Sequence, residues 1–400
     1  MAIIKINKFI QVLPSEVYLY FTNSTALRDW LCEVATTSPQ VGGRFYLFWN
    51  SGYYTSGEYL RLEKDKNLSF SWFGRGEPHA TNVEVKLQKR QKGTQLTLIH
   101  RKLGKTTKWI TIGNEYQKQW TKFLDNLTSV LENGADLRIT TRPMLGIYTD
   151  EFNASIAEKL GIPVMEGLRI SGVVDGLGAQ KAGFIADDVI VGLDDQDITG
   201  ASSFGAFIGN KIAGDMIDVT FYRGAEKKSV KMTLSGRPIP PIPASGADLS
   251  KQVEPVYKHF EDELQAILKD TTEEECTKKP ALSEWSVYEV LAHLIHSELG
   301  WQNFVSEIIG GHEGAYDEFG GNVQAHIDGT VATFPSKESL LTQLRLHDIE
   351  TLNLYAHISS DFLKHKGKFW KLAFQANQNS YHLQTHLAQI QSAIQVARNK

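Results

Sequence analysis

The 400-residue sequence predicts a multidomain chain: an α+β domain, then a mostly-β domain, then an all-α four-helix bundle. Three observations predict it. The length exceeds what one hydrophobic core fills. Two stretches punctuate the chain: SGRPIPPIPASGADL, Ser235 to Leu249, is a proline-rich spacer ending in a Gly/Ser hinge, and ENGADLRITTRP, Glu132 to Pro143, turns a helical pattern into a strand-like one. The hydrophobic period changes at both places, from short alternating runs, to short apolar runs between Gly and Asp turns, to long helical stretches. The expected boundaries are residues 1–135, 140–236 and 250–400, with 237–249 as linker.

Composition narrows the function classes. A net charge of −4 offers no basic field for nucleic acid or an anionic membrane. No apolar run has the length of a membrane span, and MAIIKINKFIQV lacks the apolar core and cleavage site of a signal peptide. Cys32 and Cys276 stand far apart and suggest no disulfide framework. The expectation is a cytoplasmic protein.

In the first part, residues 3–12 alternate as an edge strand, and SEVYLYFTNSTALRDWLC reads as a helix capped by Ser15. Five short strands follow, GRFYLFW through TQLTLIHR, with Gly or Lys-Asp-Lys-Asn turns. A closing helix puts Trp120, Leu124, Leu127 and Leu131 on one face. A long amphipathic helix across an antiparallel sheet leaves a natural cavity beneath it. Trp72, His100 and Trp120 are candidate cavity residues; for His79 and His100 a place on the sheet surface is the competing reading. ALRDWLCEVATTSPQVGGRFYLFW, SGEYLRLEKDKNLSFSW and YQKQWTKFLDNLTSVLENG resemble the START-like helix-grip (SRPBCC) superfamily, nearest the homologues of the activator of 90-kDa heat-shock protein ATPase. The resemblance implies an apolar small molecule or a chaperone as partner.

In the second part, Met144-Leu145-Gly146-Ile147, AQKAGF, DDVIVGLDDQDI and GDMIDVTFYRG resemble a PDZ domain of the HtrA type. Gly146 lets successive amides converge on a carboxylate while a strand edge pairs with an extended peptide. Leu145, Gly146 and Ile147 are thus candidate peptide-binding residues, with Phe204, Phe207 and Ile208 lining the side-chain pocket. The competing reading makes Leu145 and Ile147 plain strand core. Asp187 stands where the family usually has glycine, and Gly178 where many members have proline. The protease half found beside such domains in HtrA has no counterpart in this sequence, so proteolysis by that route is not expected.

In the third part, four helical patterns begin at VEPVYKHFEDELQAILKD, SVYEVLAHLIHSELGWQNFVSEII, SKESLLTQLRLHDIETLNLYAHI and Phe374, the last running to Val396. His382 and His386 are four apart and share a helix edge, about 100° from the apolar centre of Leu383, Leu387, Ile390 and Ile394. His293 lies about 110° from the stripe of Val287, Val290, Leu291, Leu294 and Glu298, whereas His296 should face water. By itself, H-x3-H reads either as a solvated pair or as two metal ligands. LSEWSVYEVLAHLIHSE with the later HLQTHLAQI resembles the DinB-like superfamily, which includes metal-dependent thiol transferases. That resemblance implies a divalent metal (zinc, nickel or iron) on His293, His382 and His386. Asp348, Glu350, Gln384 and Gln389 are candidates for orienting the imidazoles. Cys276 sits in a polar helix-to-loop stretch and reads as no ligand, and the remaining histidines, His259, His312, His326, His347, His357 and His365, read as surface residues.

Two functions stay open at this stage. One is an enzyme that uses the metal to activate a thiol or water for transfer to a small electrophile. The other is an adaptor or sensor coupling the peptide groove to the helix-grip cavity.

Overall fold

Val83, Val85 and Leu87 are buried while the residues between them are not, the alternation of a strand that packs on one face only. The computed structural model describes residues 3–209, 211–282, 284–311 and 323–399. In the first segment β1 (Ile4–Ile10) is followed by α1 (Pro14–Thr22) and α2 (Ser24–Trp30). Then come β2 (Val34–Thr37), β3 (Arg44–Phe48), β4 (Tyr54–Glu63), β5 (Asn67–Gly74), β6 (Thr81–Arg90) and β7 (Gly93–Arg101). These strands form one antiparallel seven-stranded sheet, ordered β1-β7-β6-β5-β4-β3-β2. The 27-residue helix α3 (Thr107–Asn133) closes it, capped where Thr106 accepts from the Trp109 amide. Trp120, Leu124, Leu127 and Leu131 are its buried face, as their spacing predicts.

The second segment is strand-rich. It holds α4 (Leu137–Thr140), β8 (Pro143–Met144), β9 (Ile147–Asp150), α5 (Ala154–Leu160), β10 (Leu168–Val173) and α6 (Gly178–Lys181). It continues with β11 (Val189–Leu193), β12 (Gln196–Asp197), α7 (Ala201–Ile208), β13 (Met216–Arg223), β14 (Glu226–Thr233) and β15 (Ser235–Gly236). The sheet runs β14-β13-β11-β10-β9, leaving β9 at an edge, and β15 pairs with β8. Both departures from the PDZ pattern have a local cause. Asp187 keeps the left-handed backbone of the usual glycine, φ 69°, and Arg169 holds its carboxylate through Nε and Nη2 at 2.9 and 2.7 Å. Gly178 donates its amide to Ser235 Oγ at 2.8 Å, a bond that proline has no N–H to make.

The third segment is helical: α8 (Gly246–Leu268), α9 (Glu273–Thr277), α10 (Val287–Gly310), α11 (Val323–Thr333), α12 (Lys337–Ala356), α13 (Lys366–Ala376) and α14 (Asn379–Arg398). The single last helix expected from Phe374 to Val396 is two helices. Asn377 turns its side-chain amide back onto the Ala373 carbonyl at 2.7 Å and ends α13, the local competition that makes asparagine a poor helix-interior residue. Cys276, expected in a polar loop, is fully buried in the bundle core.

The helix-grip segment and the bundle belong to one compact unit, while residues 136–239 with 49–53 form another. Inside the first unit α13 packs on α3. A Cβ on Gly367 would lie 2.6 Å from Val130 Cγ1. Lys366 Nζ donates to the Glu132 carbonyl at 2.7 Å, and Lys368 reaches Asp29 at 3.6 Å with both side chains mostly buried. Gly367→Leu is expected to destabilise the chain by about 1–3 kcal/mol through overpacking. Urea denaturation checks this, and a Val130→Ala background should return part of the loss.

Candidate metal centre and peptide groove

His293 comes from α10, which Ser286 and Glu289 start with a reciprocal capping box. His382 and His386 come from α14. Their spacing brings the two rings edge to face, with Nε2 atoms 3.1 Å apart and ring centroids at 4.6 Å. His293 faces them, its centroid 4.8 Å from that of His386 and 5.7 Å from that of His382. One ligand atom from each of the three lies within 4.8 Å of the others. His386 is buried and the other two are half-buried.

The donor set suits a cation. Burial lowers the pKa of all three imidazoles, that of His293 to about 4; neighbouring histidines add to the effect at His293 and His382, while the Gln389 hydrogen bond opposes it at His386. All three are therefore neutral at pH 7, with lone pairs free to ligate. Gln389 Oε1 accepts from His386 Nδ1 at 2.8 Å, which turns the Nε2 lone pair toward His382. His293 Nδ1 is buried with no hydrogen-bond partner among the described residues. Three neutral imidazoles, one oriented by an amide and one carrying an orphaned nitrogen, fit a divalent metal.

Of the proposed orienting residues only Gln389 touches a ligand. Glu350 instead bonds His347, which is half-buried rather than on the surface, and Gln384 is exposed. Asp348 is buried but makes no bond to an imidazole. His296, expected to face water, is half-buried and stacks on His326 with centroids 4.1 Å apart. His259, His326, His357 and His365 are exposed; His312 lies outside the described residues. Sequence reasoning missed Trp285, whose ring lies 4.8 Å from that of His293, and Ser297, 3.4 Å from His293 Nε2. A cavity of about 620 Å³ opens beside His382, walled by α10, α12 and the α13–α14 region.

Trp72, His100 and Trp120 do meet under α3, tied into one network. Trp120 Nε1 donates to His100 Nδ1 at 3.2 Å, His100 Nε2 donates to Thr81 Oγ1 at 2.7 Å, and that hydroxyl donates to the Trp72 carbonyl. The space that Trp72 and Trp120 border, without His100, holds about 20 Å³, room for roughly one water. His100 is fully buried and so not on the sheet surface, whereas His79 is exposed and stacks on Trp109.

In the groove, Gly146 has φ 83°, and a Cβ there would lie 2.4 Å from that of Leu177. The Leu145 and Gly146 amides donate to no acceptor among the described residues, and the outer edge of β9 begins beside them. The Leu145 side chain is buried; Phe204 is half-buried, and Phe207 and Ile208 belong to the domain core.

Three family models match the chain in the order read from the sequence. They are Activator of Hsp90 ATPase homolog 1-like protein at residues 11–132, PDZ domain at 143–234 and DinB superfamily at 257–390. Curated relatives support the middle segment. A "Probable periplasmic serine protease do/HhoA-like" of Haemophilus influenzae is 33% identical over 93 residues, 23% of this chain and 20% of that protein. A "Probable periplasmic serine endoprotease DegP-like" of Marinomonas sp. is 29% identical over 101 residues, 25% and 22%. This chain thus spans about a fifth of these relatives' length. Among solved structures, the Aha1 dimer from Colwellia psychrerythraea is 20% identical, covering 33% of this chain and 97% of that one at a TM-score of 0.30. CalU16 from Micromonospora echinospora is 26% identical, 32% and 74%, at 0.29. No described helix is long and apolar enough to cross a membrane.

Burial lowers the His100 pKa to about 3. The folded chain therefore refuses a proton that the unfolded chain binds near 6.5. Stability from this group is present above pH 6.5 and is lost as pH falls toward 3. Urea midpoints measured across that window should fall with pH, and less steeply in His100→Phe.

Proposed function

We propose that the bundle is a metal-dependent enzyme centre acting on a small molecule held in the cavity beside His382. The observation that carries this reading is the convergence of three neutral imidazoles from two helices. A divalent cation held there would lower the pKa of a bound thiol or water and supply a nucleophile at neutral pH. The chain's own part is to present the ligands. Gln389 fixes the His386 ring, Trp285 packs against the His293 ring, and the cavity offers room for a second reactant. Transfer of a low-molecular-weight thiol to an electrophile is the finer form of the proposal, supported by the likeness to the DinB superfamily. We place the reaction in the cytoplasm, where thiols are kept reduced; "periplasmic" describes the relatives.

Protein purified without a His-tag should carry about one equivalent of divalent metal, lost in His382→Ala/His386→Ala. Gln389→Ala should weaken metal affinity about 10–100-fold in chelator competition. Thiol consumption with 1-chloro-2,4-dinitrobenzene should follow metal content. A parent that takes up neither zinc nor nickel nor iron would sink the reading.

A second role is favoured by the open β9 edge and the free Leu145 and Gly146 amides: capture of a protein C-terminus or an extended peptide by β-strand addition. Gly146→Val, which strains the loop and strikes Leu177, should abolish binding to C-terminal peptide arrays while leaving metal content unchanged. The helix-grip segment, with its small closed core, is proposed to meet a chaperone or apolar partner through its surface.

A further inference from the structure

The cavity beside the imidazoles carries a charge pattern that the metal chemistry does not use. Its wall holds two carboxyl groups, Glu298 on α10 and Asp348 on α12, and no lysine or arginine among the described residues. Both residues are more than nine-tenths buried, at 6% and 9% exposure. Glu298 is supported: the Tyr257 hydroxyl donates to its Oε1 at 3.0 Å, and the Thr351 hydroxyl bonds the same carboxylate. Asp348 has no such support. No donor among the described residues reaches its carboxyl; Arg345, one turn earlier on α12, shares with Asp348 the wall of a neighbouring cavity but does not pair with it. A third acceptor is idle, since Gln375 Oε1, in the same wall, is buried with no hydrogen-bond partner. Trp301 and Phe304 complete that wall as a stacked pair, centroids 5.2 Å apart and planes 30° apart.

With Asp348 ionised, its carboxylate and Gln375 Oε1 are acceptors without donors, so the component that completes them is a donor. A buried carboxyl with no donor is retained at a cost unless something in the cavity completes it. An ammonium group carries three donors and no acceptor, and aromatic faces attract it. We propose that this cavity binds the primary ammonium group of a small ligand, with Glu298, Asp348 and Gln375 accepting its N–H bonds and the Trp301–Phe304 wall lying against it. Burial first, then the charges of Glu298 and Glu261, push the Asp348 pKa up to about 8. An empty cavity therefore keeps a proton on Asp348 at neutral pH, and an arriving cation replaces that proton as the counter-charge to the pair.

The inference rests on the proposed function only in giving one cavity to one substrate. Ammonium binding is measurable whether or not the metal reading holds. The test is calorimetric titration of the full-length chain, as purified and after chelator treatment, with n-butylammonium, n-butanol and n-butyrate. The expected result is saturable n-butylammonium binding, at least about tenfold tighter than n-butanol, with n-butyrate silent. Asp348→Asn and Glu298→Gln should each weaken it about tenfold, and chelation should leave it in place. The proposal is overturned if n-butanol or n-butyrate binds as well as n-butylammonium, or if no saturable binding is seen. It is also overturned if both variants, with unchanged thermal melting, bind like the parent.

Discussion

The absence of a side chain at Gly367 sets how closely the bundle and the helix-grip segment approach. With Val130 Cγ1 standing where a Cβ would go, α13 settles directly onto the turn of α3 that precedes Gly134, near enough for Lys366 to reach the Glu132 carbonyl. The same contact explains why the last helical pattern is divided. α13 packs on α3 and also into the bundle core beside Leu249 and Tyr355, while α14 packs on α8 and α10 after the Asn377 break. The pair of metal-ligand candidates on α14 is therefore placed by packing inside the bundle.

Buried titratable groups divide this unit into two chemical regimes. Under α3, His100 has a partner for each ring nitrogen, and the aromatic side chains leave almost no free volume. Such a network specifies one arrangement and has little left to offer a ligand. In the bundle the balance is reversed: Gln375 Oε1 is buried without a partner and lines, with Asp348, a substantial cavity, while His293 Nδ1 is also buried without a partner among the described residues. Unfinished hydrogen bonding beside empty space marks a place kept for something else to fill.

Periodicity and motif spacing made the three-part architecture and the three histidines legible in the sequence. Both signals are local: His382 and His386 share a helix edge by arithmetic alone, and His293 follows from the apolar stripe around it. What the sequence concealed depends on contacts between distant segments. His100 shares the strand face of Leu96 and Leu98, but the bonds to Trp120 and Thr81 that let an imidazole stay buried there are long-range and have no signal in the sequence. Asp348 and Glu298 sit 50 residues apart on different helices, so no spacing rule could bring them to one wall. The helix break at Asn377 was hidden because flanking apolar residues keep a helical period across it.

The pairing of β8 with β15 has a topological result. Met144 opposes Ser235 and Pro143 opposes Gly236, so the chain enters and leaves its middle segment through a single two-stranded stem. The flanking segments pack on each other through α3 and α13. In sequence, the PDZ-like part is thus inserted between the two parts of the other unit. A chain built this way could exchange the inserted unit while keeping the three clustered histidines of the other.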